Sequence, residues 1–427
     1  MSTALAMGNK ASERVSTSAD LAKPRLRILL LTPYTGGNLG DGAIQDAIIH
    51  HLRKRLSEPQ IRLITLAPRM TSKLHGLPSF PIAKSACDDG TQLPGSRVAR
   101  LRRELGHWRG AFRLLKETDL LVMSGGGQID DYWGGAMGHP YALFKWALMA
   151  RLCKARVVFL SVGVCSLTSR LGRGFAYRAL RLAAYRSYRD HGSKELLREA
   201  AFTHMDPEFP DLAFSHPCVH QEIIAARNAG GKQLVVGVSP MVYLSPQSCW
   251  PENDAKVYGG YVQMLCEFTE QVLEAGHTVV LFTSSLMDRR AVEDLEAKLR
   301  QSPKSASWAG RLRPVEQTCV NELLEEIRKM DLVVASRLHG IILSHLLGRP
   351  TLAISYDRKV QAHMEDMAQE RFCLNLRDCT LSQLWDGFAR LDVESSTISA
   401  AICSKVKERS QKLDLQYDLL AQLRVAA

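Results

Sequence analysis

The stretch that decides the fold is DLVVASRLHGIILSHLLGRPTLAISYDRK, which runs from Asp331 to Lys359. It contains two short apolar runs, DLVVAS and PTLAISY, with an apolar segment of helical length between them. Continuous Val, Ile and Leu runs of this length are typical of strands that are buried on both faces of a parallel sheet. The stretch therefore predicts a strand, a buried helix and a second, parallel strand.

The same pattern recurs along most of the chain. Six further apolar runs end in Gly, Ser or Pro: RLRILLLTP (25–33), IRLITLAP (61–68), DLLVMSGGG (119–127), RVVFLSVG (156–163), QLVVGVSP (233–240) and HTVVLFTSS (277–285). Strands of this kind, separated by helical patterns, predict two Rossmann-like, doubly wound α/β halves that face a central cleft. We expect a disordered tail at residues 1–24, an N-terminal half at 25–225 and a C-terminal half at 233–427. A chain of 427 residues is long enough for two cores.

Charge and composition exclude several classes of protein. The formal net charge of +11 indicates an anionic partner, but no zinc-finger, RNP or bZIP pattern accompanies it, so nucleic acid is not expected. No apolar run approaches the length that spans a bilayer. The ten cysteines are scattered without CxxC spacing, which indicates reduced thiols and a cytoplasmic location. The segment SHPCVH (215–220) lacks a second ligand pair, so no metal site is expected there, and metal dependence stays open.

Positive side chains follow two consecutive predicted strands of the C-terminal half. Arg337 and His339 stand where the buried helix begins, and Tyr356 and Lys359 follow the next strand. Between Leu338 and Tyr356 there is no carboxylate. A helix N-terminus, a guanidinium and an imidazole together suit a phosphate or a carboxylate. The alternative is that His339 bonds to a core carbonyl and Arg337 pairs with a distant carboxylate.

Two glycine-rich segments and one charged pair follow strands of the N-terminal half. In TPYTGGNLGDGAIQDAII the glycines allow close backbone approach, and Asn38 or Asp41 can cap a helix beginning around Gly42. The spacing matches neither GxGxxG nor GxxxxGK, which disfavours a dinucleotide fold and a P-loop. SGGG precedes a polar and aromatic segment, Asp130–Trp133, that suits a sugar. Arg189 and Asp190 stand before a helix that Ser193 is expected to cap, and Asp211 has a comparable position.

Residues 96–118 predict a basic amphipathic helix. Five apolar residues recur at helical spacing among seven cations: Val98, Leu101, Leu105, Trp108 and Phe112. Such a helix can lie on an anionic bilayer, and the alternative is a surface helix packed on its own sheet.

The segments GGNLGDGAIQDAI, DLLVMSGGGQ, SYRD followed by Ser193, and DLVVASRLHGIILSHLLGRPTLAISYDRKV together resemble the polysaccharide pyruvyl transferase family. The similarity extends from about Gly36 to about Val360. RLHG followed by G-x-P and Y-D-x-K is its specific part. The resemblance implies a GT-B-like fold and transfer of pyruvate from phosphoenolpyruvate to a sugar as a ketal, without a cofactor. An exopolysaccharide or its lipid-linked precursor would be the acceptor, at the inner face of the cell membrane.

The expected roles follow from this resemblance and from the strand-end positions. His339 is the candidate acid or phosphate contact, and Asp41 is the candidate base or sugar-orienting group. The remaining candidates are donor contacts at Arg337, Gly340, Tyr356 and Lys359, and acceptor contacts at Gly37, Asn38, Gly125, Gly126, Gly127, Arg189 and Asp190. Two alternatives stay open: a GT-B glycosyltransferase that uses a nucleotide sugar, and a non-catalytic polysaccharide-binding protein.

Overall fold

The computed structural model describes residues 25–83, 96–132, 134–165, 167–199, 202–220, 233–248, 252–308 and 310–422. The tail expected at residues 1–24 lies outside them. So does most of the segment, 220–233, in which the boundary between the halves is expected. Both expectations stay predictions.

The N-terminal sheet has six strands, all paired in parallel, in the spatial order β3-β2-β1-β4-β5-β6. This is the doubly wound arrangement, in which the chain reverses direction across the sheet between β1 and β4. Its strands are β1 (Arg27–Leu31), β2 (Gln60–Thr65), β3 (Ser79–Pro81), β4 (Leu120–Ile129), β5 (Arg156–Val164) and β6 (Tyr185–Tyr188).

The C-terminal sheet repeats the same topology. Its order is β12-β11-β10-β7-β8-β9, again with every pair parallel, and its switch point lies between β7 and β10. Its strands are β7 (Val235–Ser239), β8 (Thr278–Leu281), β9 (Leu312–Pro314), β10 (Leu332–Ala335), β11 (Thr351–Ser355) and β12 (Cys373–Asn375). Two Rossmann-like halves are therefore confirmed, and all eight apolar runs of the sequence are strands within them.

The helices cover both sheets. They are α1 (Leu39–Arg55), α2 (Pro68–His75), α3 (Arg97–Lys116), α4 (His139–Leu152), α5 (Arg170–Leu182), α6 (His191–Glu199), α7 (Ala255–Glu274), α8 (Arg289–Gln301), α9 (Val320–Arg328), α10 (Leu338–Leu346), α11 (Arg358–Asp366), α12 (Leu381–Val393) and α13 (Ser395–Gln422). Each residue of α10 is buried, including His339, Ser344 and His345. Among the described residues, no helix is both long and apolar enough to cross a membrane.

Helix α13 returns from the C-terminal sheet to the N-terminal half. The Tyr417 ring stacks on His51 of α1 with 4.3 Å between ring centroids, and the Tyr417 hydroxyl lies 3.1 Å from Ser215 Oγ. Gln416 reaches Ser161 Oγ at 3.1 Å, and Arg55 pairs with carboxylates of α13. The last helix therefore holds the two halves against each other.

The three glycines of SGGG do not form the turn that the sequence suggested. They lie within β4, which continues to Ile129, and the register with β5 shifts between Gly126 and Ile129. Gly126 has a φ of +82°, a conformation that side chains rarely adopt. The irregularity bends the end of the strand where polar groups converge.

Candidate active site

Loops from the two halves meet where the strands end at their carboxyl edges. The β1–α1 loop and the loop after β8 form an isolated antiparallel bridge between Asn38 and Ser285. The Leu39 amide donates to Ser284 O at 3.0 Å, and the Leu286 amide donates to Gly37 O at 2.8 Å. Gly37, an expected acceptor contact, is therefore engaged with the opposite half. These backbone hydrogen bonds close the cleft at the first turn of α1.

His339 packs directly against Gly40 of that first turn. A Cβ atom built on Gly40 would collide with the imidazole ring, so glycine is required if the ring is to keep its place. His339 belongs to α10 of the C-terminal half, and Gly40 precedes Asp41 in the N-terminal half. The two residues expected to share the chemistry are thus brought to one place by elements of different halves.

The Asp41 carboxyl is buried, with 7% of the residue exposed. Asn38 Nδ2 donates to Asp41 Oδ2 at 2.6 Å, and a Cβ atom on Gly126 would lie 3.0 Å from Asp41 Oδ1. Burial raises the pKa of Asp41 to about 7, and the charge of Asp211 adds to the rise. Helix α1 begins at Leu39 with Asn38 at the N-cap position, three residues before the expected start, and the Asn38 side chain makes no cap hydrogen bond.

Asp211 connects the charged pair after β6 with His339. Arg189 Nε donates to Asp190 at 3.2 Å, and Arg189 Nη1 donates to Asp211 Oδ2 at 3.4 Å. The same Asp211 oxygen lies 3.9 Å from His339 Nε2. A Cβ atom on Gly163 would lie 2.8 Å from the Arg189 guanidinium, so glycine makes room for that group. The sequence placed Asp211 at a comparable position but did not predict this link.

The prediction that Arg337 lacks an internal partner is wrong. Its Nη2 donates to Asp288 Oδ1 at 2.8 Å and its Nε donates to Asp288 Oδ2, while Asp288 also accepts the Val242 amide at 3.1 Å. Asp288 is fully buried, so the pair is a desolvated, bidentate ion pair. The open alternative, a distant carboxylate, was correct for Arg337. Because the partner is 49 positions away, spacing gave no sign of it.

Lys359 differs from Arg189 and Arg337, which both form ion pairs. In the described part of the chain its ammonium makes no ion pair, and it lies 5.0 Å from the centroid of the Tyr356 ring. Burial by itself lowers the pKa of Lys359, but Tyr356, Asp357 and the thiol of Cys165 outweigh this and raise it overall. Cys165 follows β5, so Lys359 is electrostatically coupled to the opposite half.

Burial favours the neutral form of the His339 imidazole. Burial lowers the pKa of His339 to about 4, and Arg189, Arg337 and Lys359 lower it further, against the opposing charge of Asp211. Its Nε2 atom is buried and has no hydrogen-bond partner among the described residues. Asp41 and His339 therefore have pKa values shifted in opposite directions at one site, which is the usual sign of acid–base chemistry.

Other expected contacts have structural roles. Asp190, rather than Ser193, caps α6, because its Oδ1 accepts the Ser193 amide at 2.7 Å. Arg337 is the N-cap residue of α10. Gly125 packs on Leu212, whereas Gly127 is exposed. Within the described ranges no three His, Cys, Asp or Glu side chains are grouped to hold a metal ion.

The model of the polysaccharide pyruvyl transferase family matches residues 38–358, which include both Asp41 and His339. The chain belongs to the polysaccharide pyruvyl transferase family. Membership indicates a pyruvyl transferase with a sugar or polysaccharide as acceptor. No curated protein sequence matches the chain.

Solved structures with a similar fold are distant in sequence. UDP-GlcNAc 2-epimerase from Neisseria meningitidis bound to UDP-GlcNAc has a TM-score of 0.58 at 10% identity, covering 93% of this chain and all (100%) of that one. A glycosyltransferase from Rickettsia africae has a TM-score of 0.57 at 9% identity, covering 94% and 99%. UDP-GlcNAc 2-epimerase from Methanocaldococcus jannaschii has a TM-score of 0.55 at 11% identity, covering 86% and 92%. These similarities show that this family member has the GT-B fold.

Replacing Gly40 by Ala tests the contact across the cleft. Although alanine favours a helix, its Cβ must displace the His339 ring, and overpacking of this kind costs about 1–3 kcal/mol. We expect lower stability in urea denaturation and a loss of transferase activity. The matched control is Gly110→Ala in α3, where nothing lies within 4 Å and stability should rise by about 0.5–1 kcal/mol. Equal effects of the two substitutions would contradict the contact.

Replacing Asp41 by Asn tests the raised pKa. The folded chain binds the Asp41 proton more tightly than the unfolded chain, so the parent loses stability as pH rises from about 4 to about 7. The free energy of unfolding of Asp41→Asn, relative to that of the parent, should therefore increase between pH 4 and pH 7 by at most about 4 kcal/mol. Above pH 7 the difference should stay constant. Urea unfolding at pH 5 and pH 8 measures this difference. Asp378→Asn, at an exposed position, is the control, and a pH-independent difference for Asp41→Asn would refute the shift.

Proposed function

We propose that this chain transfers pyruvate from phosphoenolpyruvate to a sugar of an exopolysaccharide or of its lipid-linked precursor, as a ketal, and releases phosphate. The family match that spans both Asp41 and His339 carries this proposal. The meeting of these residues across the cleft supports it, because ketal formation needs a group that moves protons and a group that binds the leaving phosphate.

The reaction forms two C–O bonds, one C–H bond and one O–H bond on phosphate. It breaks the π bond of the enol, two sugar O–H bonds and the C–O bond to phosphate. One sugar hydroxyl attacks C2 while the methylene carbon gains a proton, and a second hydroxyl then displaces phosphate. A carboxyl group with a pKa of about 7 can accept the first hydroxyl proton and pass it to the methylene carbon. We assign this transfer to Asp41. The second hydroxyl proton leaves with the phosphate.

We place the donor on the C-terminal half. Lys359 and the first turn of α10 offer positive charge and amide donors, and Arg337 lies at the same helix start, paired with Asp288. His339 contacts the phosphate in this proposal, and a dianion beside the imidazole would raise its pKa from about 4. Because Arg189 and Arg337 are paired with acids, donor binding depends more on shape and directed hydrogen bonds than on surplus positive charge.

We place the acceptor on the N-terminal half, which includes the expected contacts Asn38, Gly126 and Arg189. Gly127 and Tyr132 are exposed there, and the Tyr132 amide donates to Asp130 at 3.2 Å. The exposed Tyr132 ring offers a surface on which an acceptor sugar can stack. Trp133, also expected at this lip, lies outside the described residues.

The second candidate, a glycosyltransferase, has the same fold. The epimerases and the glycosyltransferase that resemble this chain support only the fold of this chain, because their sequences are identical to it at about one residue in ten. The family match favours pyruvyl transfer.

Incubation with phosphoenolpyruvate and a panel of oligosaccharides tests the proposal. We expect acceptor-dependent release of phosphate and a matching gain in acceptor mass. His339→Ala should lower turnover by roughly 10²-fold or more. His204→Ala, at an exposed position, should leave turnover unchanged. Transfer of a sugar from a nucleotide sugar instead would contradict the proposed reaction. Full activity of His339→Ala would contradict the role of His339 in it.

We also propose that α3 contacts the inner face of an anionic membrane, which places the enzyme in the cytoplasm. The helix packs on its own half through His107, Ala111, Leu114 and Leu115. Of the five apolar residues predicted to form its stripe, Trp108 packs against this half. The other four are exposed: Val98, Leu101 and Leu105 are each more than half exposed, and Phe112 is 38% exposed. Exposed arginines accompany them, which is the composition of an interfacial helix.

The position of this surface fits a lipid-linked acceptor. In a parallel α/β sheet the helices begin at the carboxyl edge of the strands, where the site lies. Val98 and Leu101 at the start of α3 and Leu171 at the start of α5 are therefore near the same edge as Asp41. Contact with a bilayer here would bring a lipid-bound sugar toward the cleft.

Sedimentation with vesicles of phosphatidylglycerol and phosphatidylcholine tests this contact. Binding should require the anionic lipid and weaken as salt is raised. The double substitution Leu101→Glu and Leu105→Glu should reduce binding by more than roughly tenfold, because two exposed apolar side chains are lost. Leu152→Glu, at the far end of α4, is the control and should bind as the parent does. Equal binding of all variants, or binding to neutral vesicles, would contradict the proposal.

A further inference from the structure

Two serine hydroxyls beside the first turn of α10 have no hydrogen-bond partner among the described residues. Ser239 is the last residue of β7, and Ser284 lies in the loop after β8. Both are buried, with 2% and 0% of the residue exposed, and neither Oγ atom has a partner in the described part of the chain. A buried hydroxyl without a partner is unfavourable, because it has given up its hydrogen bonds to water.

Both hydroxyls lie around the space that the missing side chain of Gly340 leaves. A Cβ atom built on Gly340 would lie 3.4 Å from Ser284 Oγ and 3.7 Å from Ser239 Oγ. These are ordinary contact distances, so the backbone of α10 would tolerate a methyl group there. The glycine keeps open a small polar recess that three strand ends and one helix surround.

The start of α10 adds backbone donors to this recess. Its N-cap residue, Arg337, provides no side-chain hydrogen bond to the first turn. The first amides of a helix have no partner within the helix and carry partial positive charge. The Nε2 atom of His339, in the same turn, is also buried and unpaired among the described residues.

The backbone that carries the two serines is held in place. The Ser336 amide donates to Ser239 O at 3.2 Å, and the Leu39 amide donates to Ser284 O at 3.0 Å. Several other buried hydroxyls of this half have a partner: Ser344 donates to Gly340 O at 2.7 Å, and Thr283, next to Ser284, donates to Ser285 O at 2.7 Å. Among the described residues Ser239 and Ser284 have no such hydrogen bond.

We propose that Ser239 and Ser284, with Gly340 and the first amides of α10, bind the phosphoryl group of the donor. This inference rests on the proposed use of phosphoenolpyruvate. The three terminal oxygens of a phosphoryl group match several donors that converge from different directions, whereas the planar carboxylate has two oxygens. The β1–α1 loop covers the recess through Leu39, so the donor enters before that loop closes. Ser239 and Ser284 are positioning residues: they hold the leaving group while Asp41 moves the proton.

Binding of inorganic phosphate and of phosphoenolpyruvate to the full chain tests the assignment without turnover. Ser239→Ala, Ser284→Ala, the double variant and Gly340→Ala are compared with the parent by calorimetry and by thermal unfolding. The matched control is Ser399→Ala in α13, which removes a buried hydroxyl that donates to Gly348 O at 2.8 Å.

We expect the double variant and Gly340→Ala each to weaken the binding of both ligands by at least about tenfold. Without ligand, their melting temperatures should equal or exceed that of the parent, because an unpaired hydroxyl is lost or an alanine is gained in a helix. Ser399→Ala should show the opposite result, a lower melting temperature and unchanged affinity.

Affinities within twofold of the parent in the double variant would overturn the assignment. So would a fall in the melting temperature of the unliganded double variant as large as that of Ser399→Ala, since this would indicate hydroxyls that support the fold. If the parent binds phosphoenolpyruvate and the variants bind it equally well, only the role of the serines is refuted. If the parent binds neither ligand, the proposed donor itself is refuted.

Discussion

The closed contact between the β1–α1 loop and the loop after β8 is the constraint on which the site depends. Hydrogen bonds from Leu39 to Ser284 and from Leu286 to Gly37 join the backbones of the two halves. They bring Gly40 against the His339 ring, and a side chain on residue 40 would separate them. Burial of Asp41 and His339 follows from this contact, and burial is the first cause of the pKa shift of each. The chemistry therefore depends on closure of the cleft.

Acids that pair with the site cations are themselves fixed by backbone amides. Asp288 accepts the Val242 amide as well as two donors of Arg337, Asp190 accepts the Ser193 amide, and Asp211 accepts the Ala213 amide. Arg189 and Arg337 are thus held by carboxylates that a turn or a helix start has already oriented. Such pairs contribute little net stability when buried, because desolvation offsets the attraction. Their effect here is geometric: they orient the guanidinium groups and leave Lys359 as a cation without an ion pair in the described chain.

Helix α13 also joins the two halves, through contacts outside the cleft. Gln416 and Tyr417, near the end of the chain, contact Ser161, Ser215 and His51 of the N-terminal half. Motion of one half relative to the other must therefore disturb this packing or pivot about it. In the proposed reaction, donor entry requires the β1–α1 loop to release Ser284 while α13 keeps the halves associated.

Much of the fold could be predicted from the sequence. Apolar runs and helical spacing predicted the eight central strands and both Rossmann-like halves, because a strand buried on two faces must be apolar throughout. RLHG, followed by G-x-P and Y-D-x-K, was sufficient to predict the family, and strand-end position singled out Asp41, Arg337 and His339. The short strands β3, β9 and β12 at the sheet edges carry too few apolar residues for such a signal.

Only the tertiary structure decided the partners and protonation of these residues. The pairing of Arg337 with Asp288 and the link from Arg189 through Asp211 to His339 join residues that are far apart in the chain. Ser239 and Ser284, whose hydroxyls have no partner among the described residues, are also distant in sequence. Hydrophobic periodicity reports which face of an element is buried, but it says nothing of which polar groups meet across two halves. The pKa values of Asp41 and His339 are likewise set by loss of water, and that loss occurs only when both halves cover the same site.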